Sequence, residues 1–168
     1  MDTRNQKTIV VIEDNIDDFH KIKSGLERLS FEVIPNDDKA FSDLSGYIKA
    51  YFNNTDRDGN KKQIETILQD QNIIGFVIDY LLVGNTGNNN DGIAFYNNFI
   101  KDKGDKTILF ASGATAPDDW NDMFKKIDEI NVNRTIAHLF MKNKRTDWTS
   151  SFNNRINKMF NTKVKIDG

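Results

Sequence analysis

The stretch Ile9-Val10-Val11-Ile12-Glu13-Asp14-Asn15 decides the fold of this chain. Its four consecutive β-branched residues predict a strand buried on both faces, as in the middle of a parallel sheet. The strand stops at two carboxylates, Glu13 and Asp14. From residue 17 onward, apolar residues such as Phe19 and Ile22 recur at helical spacing, which predicts an amphipathic helix. The chain therefore begins with a buried strand, an acidic turn and a helix.

The alternation of strand and helix continues along the sequence. Four further strands are predicted at 31–35, 73–78, 107–110 and 135–141. The later helices are predicted as two within 41–71 around a polar turn at 53–62, and one each at 91–100, 117–130 and 146–160. This order predicts an α/β fold, a doubly wound five-stranded parallel sheet with helices on both faces and an elongated second helical region.

The composition limits the class of protein. A length of 168 residues predicts one domain over 1–168, with its core at 8–160 and an extended helical insertion at 41–72. The 23 basic and 25 acidic residues nearly balance, so the net charge predicts neither a nucleic-acid partner nor a membrane partner. The sequence has no cysteine, no apolar run long enough to span a membrane and no apolar signal segment at its start. We therefore expect a soluble cytoplasmic protein.

Chemically active side chains follow four of the five predicted strands. Glu13 and Asp14 follow the first strand, Asp79 the third, Ser112 the fourth and Lys142 the fifth. The carboxyl ends of parallel strands share one edge of the sheet, where ligands bind in open α/β folds. We therefore expect three carboxylates, a hydroxyl and an ammonium to lie close together.

Clustered carboxylates without cysteine or histidine are typical of a site for a hard divalent cation such as Mg²⁺ or Mn²⁺. A lysine and a serine opposite such a cation suit the remaining oxygens of a phosphoryl group. Asp79 stands alone after a central strand, which favours it as the nucleophile, while Glu13 and Asp14 form a ligand pair. The set predicts a site that handles phosphoryl groups.

Each of these residues also has an ordinary explanation. A single Asp after a strand is most often a turn or helix cap, Ser112 can belong to a plain loop, and Lys142 can lie in a solvated basic turn. The functional interpretation rests on five side chains placed at the matching ends of four strands.

Together these segments resemble the receiver domain of two-component response regulators. The motifs that carry the resemblance are Ile9-Val10-Val11-Ile12-Glu13-Asp14-Asn15, Phe76-Val77-Ile78-Asp79, Asp91-Gly92, Ile108-Leu109-Phe110-Ala111-Ser112-Gly113 and Leu139-Phe140-Met141-Lys142. The resemblance implies a flavodoxin-like strand order, 2-1-3-4-5. It also implies a protein that signals by phosphorylation of an aspartate.

The resemblance assigns a role to each candidate residue. Asp79 would accept a phosphoryl group from a sensor histidine kinase or a histidine phosphotransfer protein. Asp14, Asp79 and the backbone carbonyl of Leu81 would bind Mg²⁺, and Glu13 would act on the ion through water. Lys142 would pair with the phosphoryl oxygens. Ser112 would move to donate a hydrogen bond to them, as part of a two-state switch.

The sequence departs from the family pattern at several positions. Asn143 follows the lysine where the family usually has proline, and Leu139 stands where an aromatic residue is usual. Asp91 follows Asp79 by twelve positions, through a longer loop at 84–90 that lacks the usual proline. The region 41–71 is also longer than a usual second helix.

Only eight residues follow Phe160, which predicts a stand-alone receiver that signals by binding a downstream protein partner or by passing the phosphoryl group onward. One alternative is a receiver-like interaction module that is never phosphorylated. A second is a Mg²⁺-dependent phosphatase, which is less favoured because Tyr80 and Leu81 supply no general acid beside Asp79.

Residues 54–65 nearly fit the calcium-binding loop of an EF-hand, with Asn54, Asp56, Asp58, Gly59 and Glu65 at the matching positions. Lys61 stands where an apolar residue belongs, and the sequence has no second copy of the loop. The favoured interpretation is therefore a polar turn between two helices.

Overall fold

The protein folds around a five-stranded parallel sheet with the order β2-β1-β3-β4-β5. In the computed structural model, the strands are β1 (Thr8–Ile12), β2 (Glu32–Ile34), β3 (Ile73–Asp79), β4 (Thr107–Ser112) and β5 (Ile136–Met141). The structure describes residues 7–80, 82, 91–104, 106–113, 117–131, 136–142 and 147–166, with the side chains of Asp91, 117–120, Ile136 and 161–166 excepted. The predicted fold class and strand order are confirmed.

Six helices are described around the sheet; the first five lie in the connections between successive strands, and the last follows β5. They are α1 (Ile16–Arg28), α2 (Asp38–Phe52), α3 (Arg57–Ile67), α4 (Asp91–Phe95), α5 (Pro117–Asn131) and α6 (Thr149–Ile166). A π-helical turn at Tyr96–Ile100 continues α4. None of the helices in the described residues is long and apolar enough to cross a membrane.

Two hydrophobic cores cover the two faces of the sheet. Side chains alternate along β1, so that Val10 and Ile12 enter one core while Ile9 and Val11 enter the other. The first core packs the sheet against α2, α3, the π turn and α5, and the second packs it against α1 and α6. Burial on both faces explains why the β1 and β3 segments are almost continuously apolar.

The second helical region differs from the predicted boundaries. The polar turn expected at 53–62 ends early, because α3 begins at Arg57. This helix buries only Ile64 completely, so a mostly polar sequence is compatible with it. Residues 57–65 are therefore helical, and the calcium-loop conformation does not form.

Two other predicted boundaries were wrong. The last helix was expected at 146–160 but begins at Thr149 and continues to Ile166. Strand β2 is limited to Glu32–Ile34, and a cis peptide bond joins Ile34 to Pro35 directly after it. Neither difference changes the positions of the candidate site residues at the ends of β1, β3, β4 and β5.

Candidate functional site

The acidic residues meet because β1 and β3 are neighbours in the sheet. The two strands run parallel with Ile12 opposite Ile78, so the residues that follow, Glu13 and Asp79, also lie side by side. One oxygen each from Glu13, Asp14 and Asp79 lies within 4.8 Å of the others, which is close enough for the three to share a metal ion. Among the residues that the structure describes, Glu13, Asp14 and Asp79 are the group whose oxygens lie close enough together to hold a metal ion.

Glu13 is held firmly by its own turn. Its Oε1 accepts hydrogen bonds from the backbone N–H groups of Asp14 and Asn15, each at 3.1 Å. Its carbonyl oxygen accepts a hydrogen bond from the Ser45 hydroxyl of α2 at 3.3 Å. Glu13 is buried, whereas Asp14 is exposed at the rim of the site. The turn therefore presents one fixed carboxylate and one accessible carboxylate.

The electrostatics of the cluster indicate repulsion between its carboxylates. Burial and the charge of Glu13 raise the pKa of Asp79 to about 9, against the opposing effect of Lys142. Burial also raises the pKa of Asp14, although a hydrogen bond with Asp79 acts in the opposite direction. A cation between these oxygens would relieve the repulsion.

Lys142 follows β5 and reaches back into the cluster. Its Nζ lies 3.2 Å from Glu13 Oε2, 3.1 Å from Asp18 Oδ2 and 3.8 Å from Asp79 Oδ1. Burial alone would lower the pKa of Lys142, but the charges of Asp79, Glu13 and Asp18 outweigh it and raise the pKa. The lysine is therefore a buried ammonium with three carboxylate neighbours.

Gly92 fixes the start of α4 against the end of β3. Its N–H donates to the Tyr80 carbonyl at 3.0 Å, and a Cβ atom at this position would collide with the Asp79 carbonyl oxygen. The glycine of the Asp91-Gly92 motif is thus required for close approach of two backbones.

The architecture matches a solved structure. A crystal structure of a response regulator from Thermotoga maritima aligns with a TM-score of 0.51 at 17% sequence identity, covering 94% of this chain and 99% of that chain. The fold is that of a response-regulator receiver domain. No family model matches the sequence, and no curated protein matches it either. At this identity the similarity concerns the fold, so the chemistry of the site depends on the residues themselves.

The receiver fold brings most of the predicted site residues together. Glu13, Asp14, Asp79 and Lys142 form one cluster, as expected from the strand ends. Ser112 is the last residue of β4, and its side chain is fully buried. It follows Ala111, which lies opposite Asp79 in the neighbouring strand β3. The predicted metal-binding carbonyl of Leu81 lies outside the described residues, as do Asn143 and the loop at 84–90.

Sequence reasoning missed Asp18. The acidic residues Asp17 and Asp18 were expected only to stabilise the helix N-terminus, yet Asp18 is buried against Lys142. The sequence held one signal, the spacing of Asp18 four positions before the apolar Ile22, which places both on the same face of the helix; the structure shows that this face is buried. A carboxylate on the apolar face of an amphipathic helix is unusual and indicates a specific partner.

Proposed function

We propose that this chain is a receiver in which Asp79 accepts a phosphoryl group in a Mg²⁺-dependent reaction. The donor in this proposal is the phosphohistidine of a sensor histidine kinase or a histidine phosphotransfer protein. The observation that carries the proposal is the position of Asp79, which lies 3.8 Å from the Lys142 ammonium and within 4.8 Å of possible metal ligands on Glu13 and Asp14. A nucleophile between a lysine and a cation site is the arrangement that phosphoryl transfer needs.

The donor set suits magnesium. Carboxylate oxygens are hard ligands, and neither cysteine nor histidine belongs to the group. In the proposal, Asp14 and Asp79 would hold the ion together with the backbone carbonyl of Leu81, and Glu13 would act on the ion through water. When bound, the cation would offset the negative charge of the phosphoryl oxygens.

The transfer exchanges one bond for another. A carboxylate oxygen of Asp79 attacks the phosphorus atom, the P–O bond forms, and the P–N bond to the donor histidine breaks. The released imidazole nitrogen keeps the electron pair of that bond. Lys142 donates a charge-assisted hydrogen bond to a phosphoryl oxygen, and the Ser112 hydroxyl donates another. Because these bonds form only when Asp79 is phosphorylated, they favour the conformation of the phosphorylated chain over that of the unphosphorylated chain.

The signal then passes to another protein. A phosphoryl group changes the contacts of Lys142 and Ser112, which lie at the ends of β5 and β4. Movement there would alter the surface that these strands share with α5, and a downstream protein partner would bind one form of that surface more tightly. In this proposal the exchange takes place in the cytoplasm.

Intact mass spectrometry tests the proposal. The purified chain is incubated with acetyl phosphate or phosphoramidate and Mg²⁺, and we expect a mass gain of one phosphoryl group. The gain should be lost in Asp79→Asn and without Mg²⁺, and it should persist in Asp17→Asn, which removes an exposed carboxylate of α1. A wild-type chain that gains no mass would contradict the proposal and favour an interaction module that is not phosphorylated.

A further inference from the structure

Asp18 is a buried carboxylate that the proposed chemistry has not yet used. It lies in the first turn of α1 and is only 4% exposed. Its Oδ2 accepts a hydrogen bond from Lys142 Nζ at 3.1 Å, shorter than the 3.8 Å between that nitrogen and Asp79. The lysine is therefore closer to Asp18 than to the proposed phosphoryl acceptor.

Asp18 stands apart from the possible metal ligands. Among the described residues, the oxygens that could share an ion come from Glu13, Asp14 and Asp79, and Asp18 does not belong to that group. Its link to the site runs through Lys142. Because Asp18 lies outside the group of possible cation ligands, its ion pair with Lys142 is the contact through which we infer that it acts on the site.

Local structure keeps the Asp18 carboxylate in place. Asn15 caps α1 and accepts a hydrogen bond from the Asp18 N–H at 2.9 Å, which fixes the backbone at this position. The positive end of the helix dipole favours a negative charge in the first turn. Asp18 thus presents a carboxylate at a fixed position beside the Lys142 ammonium.

We propose that Asp18 is a positioning residue that competes with the phosphoryl group for Lys142. An ammonium has three N–H donors, and here three carboxylates surround it, on Glu13, Asp18 and Asp79. A phosphoryl group on Asp79 brings additional oxygens, so the lysine must redirect a donor to bind it. Asp18 holds the ammonium back before phosphorylation and sets how readily it turns toward the phosphoryl group. This inference rests on the proposed phosphorylation of Asp79.

Beryllofluoride binding tests the competition. This anion mimics a phosphoryl group on a carboxylate, and its apparent dissociation constant is measured by NMR titration in the presence of Mg²⁺. We expect Asp18→Asn to bind beryllofluoride about threefold to tenfold more tightly than the wild-type chain, since one competing charged acceptor is gone. The matched control is Asp17→Asn, which removes an equal charge from the same helical turn at an exposed position and should bind like the wild type.

Making Asp18→Asn in a chain that also carries Lys142→Gln distinguishes competition for Lys142 from a general effect of the lost charge. When Lys142 is replaced by glutamine, the benefit of Asp18→Asn should disappear, because the group for which Asp18 competes is absent. In the wild-type chain, the side-chain carboxyl carbon signal of Asp18 should also shift when beryllofluoride binds, while that of Asp17 stays in place. This last measurement needs no variant and so holds even if Asp18→Asn does not fold.

The outcomes distinguish the two proposals. If the wild-type chain binds no beryllofluoride, both the proposed function and the role of Asp18 are wrong. If it binds but Asp18→Asn is unchanged or weaker, the competition is refuted and the proposed function stands. Persistence of the Asp18→Asn effect in the Lys142→Gln background, or an unmoved Asp18 carboxyl signal, would also refute the competition.

Discussion

Replacement of Asp79 by asparagine should stabilise the metal-free protein near neutral and alkaline pH. The change keeps the shape of the side chain and removes its ability to carry a negative charge. Burial and the neighbouring Glu13 raise the pKa of Asp79 from 3.8 to about 9, so ionisation of Asp79 is unfavourable in the folded chain. The amide avoids that ionisation altogether.

The direction of the pH dependence follows from proton binding. Between pH 3.8 and about 9, the folded chain keeps a proton on Asp79 that the unfolded chain releases. The stabilisation of the folded chain by that proton is complete below pH 3.8 and is lost as the pH rises to about 9. Within this window each pH unit lowers the free energy of unfolding by up to about 1.4 kcal/mol.

The net gain in the variant is smaller than this limit, because the amide gives up the attraction between Asp79 and Lys142, which lowers the cost of ionising Asp79. Lys142 keeps Glu13 and Asp18, at 3.2 and 3.1 Å, which are nearer than Asp79 at 3.8 Å. We expect Asp79→Asn to raise the free energy of unfolding by about 2 kcal/mol near pH 8, or Tm by about 4–8 °C.

Thermal and urea denaturation with a chelator present would measure this effect at several pH values between 5 and 9. The advantage of the variant over the wild type should grow with pH across the series. Asp17→Asn is the control, because its carboxylate is exposed. A variant less stable than the wild type at every pH, or a difference that does not change with pH, would refute the reasoning.

Three further predictions concern the same site. Mg²⁺ at tenfold excess over its dissociation constant should raise the free energy of unfolding of the wild-type chain by about 1.4 kcal/mol, and with it the Tm; calorimetry should show this binding lost in Asp14→Asn and Asp79→Asn. Lys142→Ala should lower the free energy of unfolding by about 3 kcal/mol in urea, because it leaves buried carboxylates without their ammonium; a loss below ~1 kcal/mol would show that the pair is unimportant. Gly92→Ala should slow phosphorylation by acetyl phosphate and lower Tm, since its methyl group meets the Asp79 carbonyl; unchanged rates would mean that the backbone adjusts freely.

The sheet and the carboxylate cluster could be predicted because they depend on one rule of topology. Parallel strands end at the same edge, so residues after buried apolar runs must meet there whatever the intervening sequence. Glu13, Asp79 and Lys142 obey this rule and lie in contact, although 129 positions separate Glu13 from Lys142. The predicted roles of these residues in phosphoryl transfer stay predictions.

The errors arose where tertiary packing overrides local composition. Residues 57–62 are polar and contain Gly59, which favours a turn, but packing of Ile64 into the first core makes the whole segment helical. Asp18 was missed for the opposite reason, because a carboxylate in a first helical turn has a sufficient local explanation. Its partner Lys142 lies 124 positions away, beyond the reach of any local pattern.

The brevity of β2 has a consequence for association between copies of the chain. The sheet ends on one side in a strand of 3 residues, and Pro35 follows it without a backbone N–H to donate. An incoming strand would find few free hydrogen-bonding groups there, so this border is a poor template for aggregation. The opposite border, β5, has 6 residues, and any growth of the sheet by strand addition would begin there.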